Sequence, residues 1–287
     1  MRSWYQDRVD DFALTMRLAE AMNVPAAAPE LASLFEVAPE LVEWSINSAH
    51  DPRGTLRMSV WTRDRMRAAR ALHVLAPDRI AMRDLLVDPE EYEGVGLALR
   101  AGEPPSVRWW SFASEGEQMA ERARIAWPDH APMMDELFAA IGGPHTCTAV
   151  GIESVGDHQR ETIYARLPDA AAAIRVLELA RVTVSRASNL FWKGLCGLEP
   201  NGREWPKVWV GRSVGAHPGW KFYYFARGDE LRRTDEVLLA AVEASPELRA
   251  SWQVLRDVVP DRPCIQLLGL TIPDGAPPTF TVYLGRA

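Results

Sequence analysis

The feature that most constrains this chain is a fivefold recurrence of one pattern: a short strand, a turn rich in Gly, Asp or Pro, a second strand, then helix. The copies read VEWSINSAHDPRGTLRMSVW from Val42, GVGLALRAGEPPSVRWWSF from Gly94, AVGIESVGDHQRETIYARL from Ala149, WVGRSVGAHPGWKFYYFAR from Trp209 and LLGLTIPDGAPPTFTVYLGR from Leu267. Equivalent positions Trp44, Val95, Val150, Val210 and Leu268 stand roughly 50 to 60 residues apart, enough for a hairpin and one or two helices per copy. Residues 63–75, 115–126, 169–182 and 229–242 repeat apolar side chains at three and four and predict helices. Second helices are predicted over 79–86, 132–141, 185–191 and 246–258, and the first copy draws its helices from the N-terminal forty residues. Ten strands result, all in hairpins.

Period-two alternation assigns the two faces of these strands. One phase of the first strands is large and apolar: Trp44, Val95, Leu97, Val150, Ile152, Val210, Leu268 and Leu270. The other is small or polar: Glu43, Ser45, Asn47, Gly96, Ala98, Gly151, Glu153, Gly211, Ser213, Gly269 and Thr271. An open sheet would place the apolar phase under helices and leave the other in water. Five hairpins in series can also close, so that the small polar phase lines a lumen.

The second strands favour closure. Their corresponding phase supplies Arg57, Ser59 and Trp61; Arg108, Trp110 and Phe112; Arg160, Thr162 and Tyr164; Lys221, Tyr223 and Phe225; Thr279, Thr281 and Tyr283. A basic residue leads in four of the five, and an aromatic residue closes all five. Solvated strand charges would explain the basic residues alone, but a solvent-facing band of large aromatic rings is a liability. A basic layer above an aromatic layer inside a barrel suits a ligand with a polyanionic head and an apolar, transiently cationic tail, and an allylic pyrophosphate has that form.

Composition sets the frame around this site. At 287 residues, 47% hydrophobic and 25% charged, residues 1–287 read as one globular domain. A formal charge of -7 offers no long-range attraction for nucleic acid or an anionic membrane, so an anionic ligand needs locally gathered cations. Cys147, Cys196 and Cys264 are odd in number and lack metal-ligand spacing, which reads as reduced, structural thiols. Arg2, Asp7, Arg8, Asp10 and Asp11 interrupt the N-terminal apolar residues as in an amphipathic helix rather than a secretory signal, and no apolar stretch is long enough for a membrane span. The expectation is a cytoplasmic, monomeric protein with neither nucleic acid nor membrane as partner.

The repeat and its lumen residues resemble the aromatic prenyltransferases of the αββα barrel, the ABBA or PT-barrel family. The resemblance implies an α+β fold: a ten-stranded antiparallel β-barrel built from five ααββ repeats, with an outer ring of α-helices. VEWSINSAHDPRGTLRMSVW is similar to the opening hairpin of the indole-prenylating branch, in which a strand glutamate accepts the indole N–H and the return strand carries a diphosphate-binding arginine. Those roles fall on Glu43 and Arg57. Lys221-x-Tyr223 resembles a diphosphate-binding K-x-Y strand, and Arg160-x-Thr162 a second one with Thr in place of Tyr. The implied diphosphate set is Arg57, Arg108, Arg160, Lys221, Tyr223 and Tyr283. The implied prenyl layer is Trp61, Trp110, Phe112, Tyr164 and Phe225.

The activity implied is transfer of a dimethylallyl or longer prenyl group from an allylic pyrophosphate to an indole-bearing acceptor (a tryptophan derivative, a cyclic dipeptide or a peptide) in natural-product biosynthesis. No cofactor is required, and Mg2+ enters at most as a diphosphate counterion. The third strand, Gly94 to Ala98, lacks the lysine that some of that branch carry there, and Arg100 nearby is a poor base. In length the chain is closer to bacterial phenol and cyanobactin peptide prenyltransferases than to the fungal enzymes, which leaves one barrel mouth open to a larger acceptor. A phenol or another peptide side chain is the alternative acceptor, and a non-catalytic barrel binding a small hydrophobic or anionic ligand is the alternative function.

Other motifs carry less. A strand carboxylate such as Glu43 ordinarily pairs with a neighbouring cation, here Arg57 across the hairpin. Glu153 reads as a partner for Arg160 or Lys221 rather than as a base. Asp10-Asp11 lacks DDxxD spacing, and His50, His145, His158 and His217 show no metal-ligand pattern, so no protein metal site is expected. VGRSVG around Gly211 joins two strands and opens no helix, so it is not a dinucleotide fingerprint and, although Gly211 to Gly215 spells GxSxG, it lacks the strand-to-helix turn of a nucleophile elbow; no Walker A sequence occurs.

Overall fold

A computed structural model describes residues 4–24, 28–37, 40–47, 55–100, 103–155, 158–181, 208–215, 218–225, 246–258 and 264–285. The strands are β1 (Leu41–Asn47), β2 (Thr55–Thr62), β3 (Glu93–Arg100), β4 (Ser106–Phe112), β5 (Cys147–Val155), β6 (His158–Arg166), β7 (Val208–Gly215), β8 (Gly219–Phe225), β9 (Cys264–Pro273) and β10 (Thr279–Gly285). Each pairs antiparallel with its sequence neighbours, and β10 returns to β1, so the sheet closes into a barrel without an edge. This is the ten-stranded barrel expected, and the open sheet is excluded.

Eight α-helices surround it among the described residues: α1 (Trp4–Ala21), α2 (Ala28–Phe35), α3 (Arg65–Leu75), α4 (Ile80–Leu86), α5 (Gly116–Ala126), α6 (Ala131–Ile141), α7 (Ala170–Leu179) and α8 (Pro246–Val258). Two begin later than periodicity suggests because an aspartate caps them. The Asp64 carboxylate accepts from the Arg67 amide, and the Asp169 carboxylate from the Ala172 amide. The helices expected over 185–191 and 229–242 lie outside the described residues. No described helix is long and apolar enough to cross a membrane.

The main hydrophobic core is the layer between barrel and helices. Trp44, Val95, Leu97, Val150, Ile152, Val210, Leu268 and Leu270 are each at most 4% exposed, so the apolar phase does face the helices. Burying each such side chain contributes about 1.5–3 kcal/mol. Trp44 inserts against α1, where its indole N–H donates to the Thr15 hydroxyl at 3.1 Å, so its one polar atom is satisfied. A paired charge is buried in this layer. Glu93 is fully enclosed, and accepts from Arg83 Nε and Nη2 at 2.8 and 2.7 Å and from the Trp109 indole at 3.0 Å. Pairing of this kind is what makes a charge tolerable there.

The first strand of every hairpin ends, and the second begins, at one end of the barrel, since all neighbouring strands are antiparallel. Along β4 the order Arg108, Trp110, Phe112 therefore descends from the hairpin end towards the helix end. The same descent applies to Arg57 and Trp61 on β2, and to Lys221 and Tyr223 on β8.

Candidate active site

The inward phase gathers the cations. Reading across the hydrogen-bonded row, Glu43 stands opposite Ser59, Ser59 opposite Gly96, Gly96 opposite Arg108, Arg108 opposite Glu153 and Glu153 opposite Arg160. Arg57 lies opposite Ser45, which on its other side faces Tyr283. Lys221 faces Gly211 and Thr271. The barrel's stagger carries these rows obliquely around the wall, which brings residues distant in row number to one height.

Glu153 is the hub. One of its oxygens accepts from Arg108 Nε at 2.7 Å and Arg108 Nη2 at 2.5 Å, and the other accepts from Arg160 Nη2. Burial alone would raise its pKa, but Arg108, Arg160, Lys221 and Arg57 together hold it well below the usual carboxylate range. Burial also opposes the charge of Arg108, which Glu153 more than offsets. Lys221 gains less from that carboxylate: burial first, and then Arg160, hold its ammonium well below the ordinary lysine range. Burial, with Arg108 beside it, lowers Arg57 to about 9. Arg57 and Lys221 are therefore costly to keep charged and would be relieved by an incoming anion.

Tyr164, Tyr223 and Tyr283 form a belt beside the cations, with successive ring centroids 5.9 Å apart. Burial raises all three hydroxyls, Tyr283 to about 12 and Tyr223 well above its ordinary value, so they remain protonated donors. The Lys221 ammonium sits 6.0 Å from the Tyr164 ring centre. Trp110 donates its indole N–H to the Tyr164 hydroxyl at 3.3 Å, linking this belt to a second aromatic group.

That second group is Trp61, Trp110 and Phe112, with Trp61 5.5 Å from Trp110 and 5.3 Å from Phe112. The rings lie flat against the wall because glycines face them. A Cβ on Gly94 would come within 2.5 Å of the Trp61 ring, and one on Gly151 within 2.6 Å of Trp110. Phe225 ends β8, and its side chain lies outside the described residues. Sequence reading missed Trp209, whose ring meets Phe112 at 5.6 Å edge-on. The signal was present: alternation from the outward Val210 turns position 209 inward.

Glu43 is set apart from the cations. It is 9% exposed, no described side chain hydrogen-bonds or ion-pairs with it, and Arg57 across the hairpin does not neutralise it. Burial pushes its carboxyl up to about 8. Tyr283 is the charged or polar neighbour that feels it. The lumen thus holds a cation and phenol cluster, an aromatic wall and one carboxyl held apart from both. Among the described residues no three His, Cys, Asp or Glu side chains group as a metal site would. Cys147 is a buried free thiol pushed up to about 12, too high to act as a nucleophile.

Comparison with solved structures matches this architecture over nearly its whole length. The prenyltransferase PriB, crystallised as a ternary complex with L-tryptophan and dimethylallyl thiolodiphosphate, superposes with a TM-score of 0.69 at 19% identity, covering 96% of this chain and 95% of PriB. The chain has the PT-barrel fold. The 5-dimethylallyltryptophan synthase from Streptomyces coelicolor gives 0.67 at 19% identity over 95% and 96% of the two chains. The 6-dimethylallyltryptophan synthase from Micromonospora olivasterospora, in complex with DMASPP and Trp, gives 0.68 at 17% identity over 96% of each. No protein-family model and no curated protein sequence matches the chain. In this PT barrel the agreement therefore lies in the fold, and the chemistry rests on the residues just described.

Proposed function

We propose that this PT barrel is an aromatic prenyltransferase that moves a dimethylallyl group from its diphosphate to an indole-bearing acceptor. The observation that carries the reading is the convergence of Arg57, Arg108, Arg160 and Lys221 with three protonated tyrosines inside a closed lumen, directly against an aromatic wall. A carrier for an apolar ligand has no use for a cluster of buried cations, two of which, Arg57 and Lys221, burial holds below their ordinary range. A leaving diphosphate needs them, because charge develops on it as the C–O bond breaks.

In this reading the donor's diphosphate lies among Arg57, Arg108, Arg160, Lys221, Tyr223 and Tyr283. Its tail lies along Trp61, Trp110, Phe112, Tyr164 and Phe225. As the allylic C–O bond breaks, the electron pair leaves with the diphosphate, and ring faces stabilise the allyl cation by about 2 kcal/mol each when desolvated. An indole ring carbon then attacks the cation, and its proton passes to the departed diphosphate, which restores aromaticity. Glu43 accepts the indole N–H and stabilises the positive charge that spreads onto the ring. Positioning both reactants in one lumen supplies a further share of the rate. The solved neighbours that hold tryptophan and a dimethylallyl thiolodiphosphate in the same fold support the choice of donor and of an indole.

Thermal shift with dimethylallyl S-thiolodiphosphate tests the donor half. At a hundredfold excess over Kd, binding should stabilise the protein by about 2.7 kcal/mol. An unchanged melting temperature at millimolar analogue removes the reading. Product analysis with dimethylallyl diphosphate and free tryptophan, a cyclic dipeptide, a tryptophan peptide or a phenol then identifies the acceptor.

A further inference from the structure

We propose that Glu153 is a built-in stand-in for the donor's diphosphate: it clamps Arg108 and Arg160 while the site is empty, and the incoming diphosphate binds in competition with it. The inference rests on the diphosphate reading above and adds a positioning residue which that reading does not require.

The geometry is specific. Glu153 stands between Arg108 and Arg160 in the strand order β4, β5, β6, facing one on each side. It spends one oxygen on the Nε and Nη2 edge of Arg108 and the other on Nη2 of Arg160. These are the guanidinium edges that would fork onto a phosphoryl group. Its side chain is 12% exposed, and those of Arg108 and Arg160 are 10% and 15% exposed, so the contact is enclosed. The buried Arg160 Nε finds no acceptor among the described residues, so this guanidinium still has a donor to offer.

Electrostatics give the contact its purpose. Without Glu153, Arg108 and Arg160 would lose the carboxylate they share, and their repulsion in a low-dielectric lumen would oppose folding of the ligand-free barrel. With it, both guanidiniums are held, Arg108 along its whole Nε and Nη2 edge and Arg160 through Nη2 alone. The same carboxylate is a like charge beside the bound donor, whose diphosphate carries about three negative charges near neutral pH. Glu153 therefore trades affinity for an ordered empty site, and it limits how tightly the product diphosphate is retained.

Calorimetric titration of inorganic pyrophosphate into the wild type, Glu153→Asp and Glu153→Gln tests this. The Gln variant removes the competing charge and should bind pyrophosphate about tenfold tighter, with product inhibition strengthened by the same factor. Its ligand-free melting temperature should fall, and saturating pyrophosphate should close the gap. The Asp variant keeps the charge but draws it back from the two arginines, so it should fold readily and bind two- to fivefold tighter, about midway between the others. A residue with only a structural role would weaken binding when altered. Folded variants that bind pyrophosphate as the wild type does, or more weakly, overturn the stand-in role and leave the diphosphate site intact. A wild type that binds neither pyrophosphate nor the thiolodiphosphate overturns the site itself, and the stand-in role with it.

Discussion

Glu43 offers the most direct test, because one substitution should move stability and activity in opposite directions. Burial without a cation partner pushes its carboxyl from 4.5 to about 8. At about 1.4 kcal/mol per pH unit, ionised Glu43 costs the ligand-free fold on the order of 4 to 5 kcal/mol, an upper figure that relaxation of the site will reduce. Below about pH 4.5 the group is protonated in folded and unfolded chains alike, and the penalty is absent. Between there and about 8 the unfolded chain releases the proton while the folded chain keeps it, so wild-type stability is progressively lost. Above about 8 the penalty is constant. Glu43→Gln has no proton to lose, so its stability advantage should be near zero at pH 4.5, grow to about 2 kcal/mol or more by pH 8, and then level off. Urea unfolding of both proteins across this range measures it. Turnover of an indole acceptor should instead fall by about a hundred- to a thousandfold in the variant. In the wild type, kcat/KM should rise with pH to a midpoint near 8 as the carboxylate forms. A stability difference that is flat with pH, or that favours the wild type at high pH, would refute the isolated buried carboxyl.

Arg57→Ala and Lys221→Ala should each reduce steady-state turnover by about a hundredfold or more while circular dichroism stays unchanged, since each removes a donor to the leaving diphosphate; full activity in both would remove them from the site. Trp110→Gly opens the wall beside Gly151, so competition between five- and ten-carbon donors should shift towards the longer one, and an unchanged ratio would place Trp110 outside the tail pocket. An N-methylindole acceptor cannot donate to Glu43 and should be prenylated far more slowly than its parent indole in the wild type; equal rates would exclude the indole role of Glu43. Chelation by EDTA should slow turnover no more than about tenfold, because side-chain cations already face the diphosphate, and complete loss would make Mg2+ a required component.

The two faces of the strands were readable from their period of two, and closure from the basic and aromatic residues that share the inward phase of the second strands. Trp44, Val95, Val150, Val210 and Leu268 each mark the outward phase of one repeat, and that phase alone predicts which residues meet the helices. The inward cations were readable for the same reason, since Arg57, Arg108, Arg160 and Lys221 occupy equivalent places. Phase says which face a side chain enters, but not what it meets there. A lumen contact joins strands through the barrel's stagger, which local sequence does not encode. Thus the sequence makes Glu153 a partner for Arg160 or Lys221; it does accept from Arg160, and the second donor, Arg108 on the other neighbouring strand, is what the sequence does not show. Glu43, one place before Trp44, looked able to pair with Arg57, yet the register sets Ser59 opposite it and Ser45 opposite Arg57. The two carboxylates share a lumen and a chemistry. Their difference is one of neighbours: Glu153 lies amid cations and stays ionised, while Glu43 lies apart from them and holds its proton to about pH 8. That separation is set by register rather than by residue type.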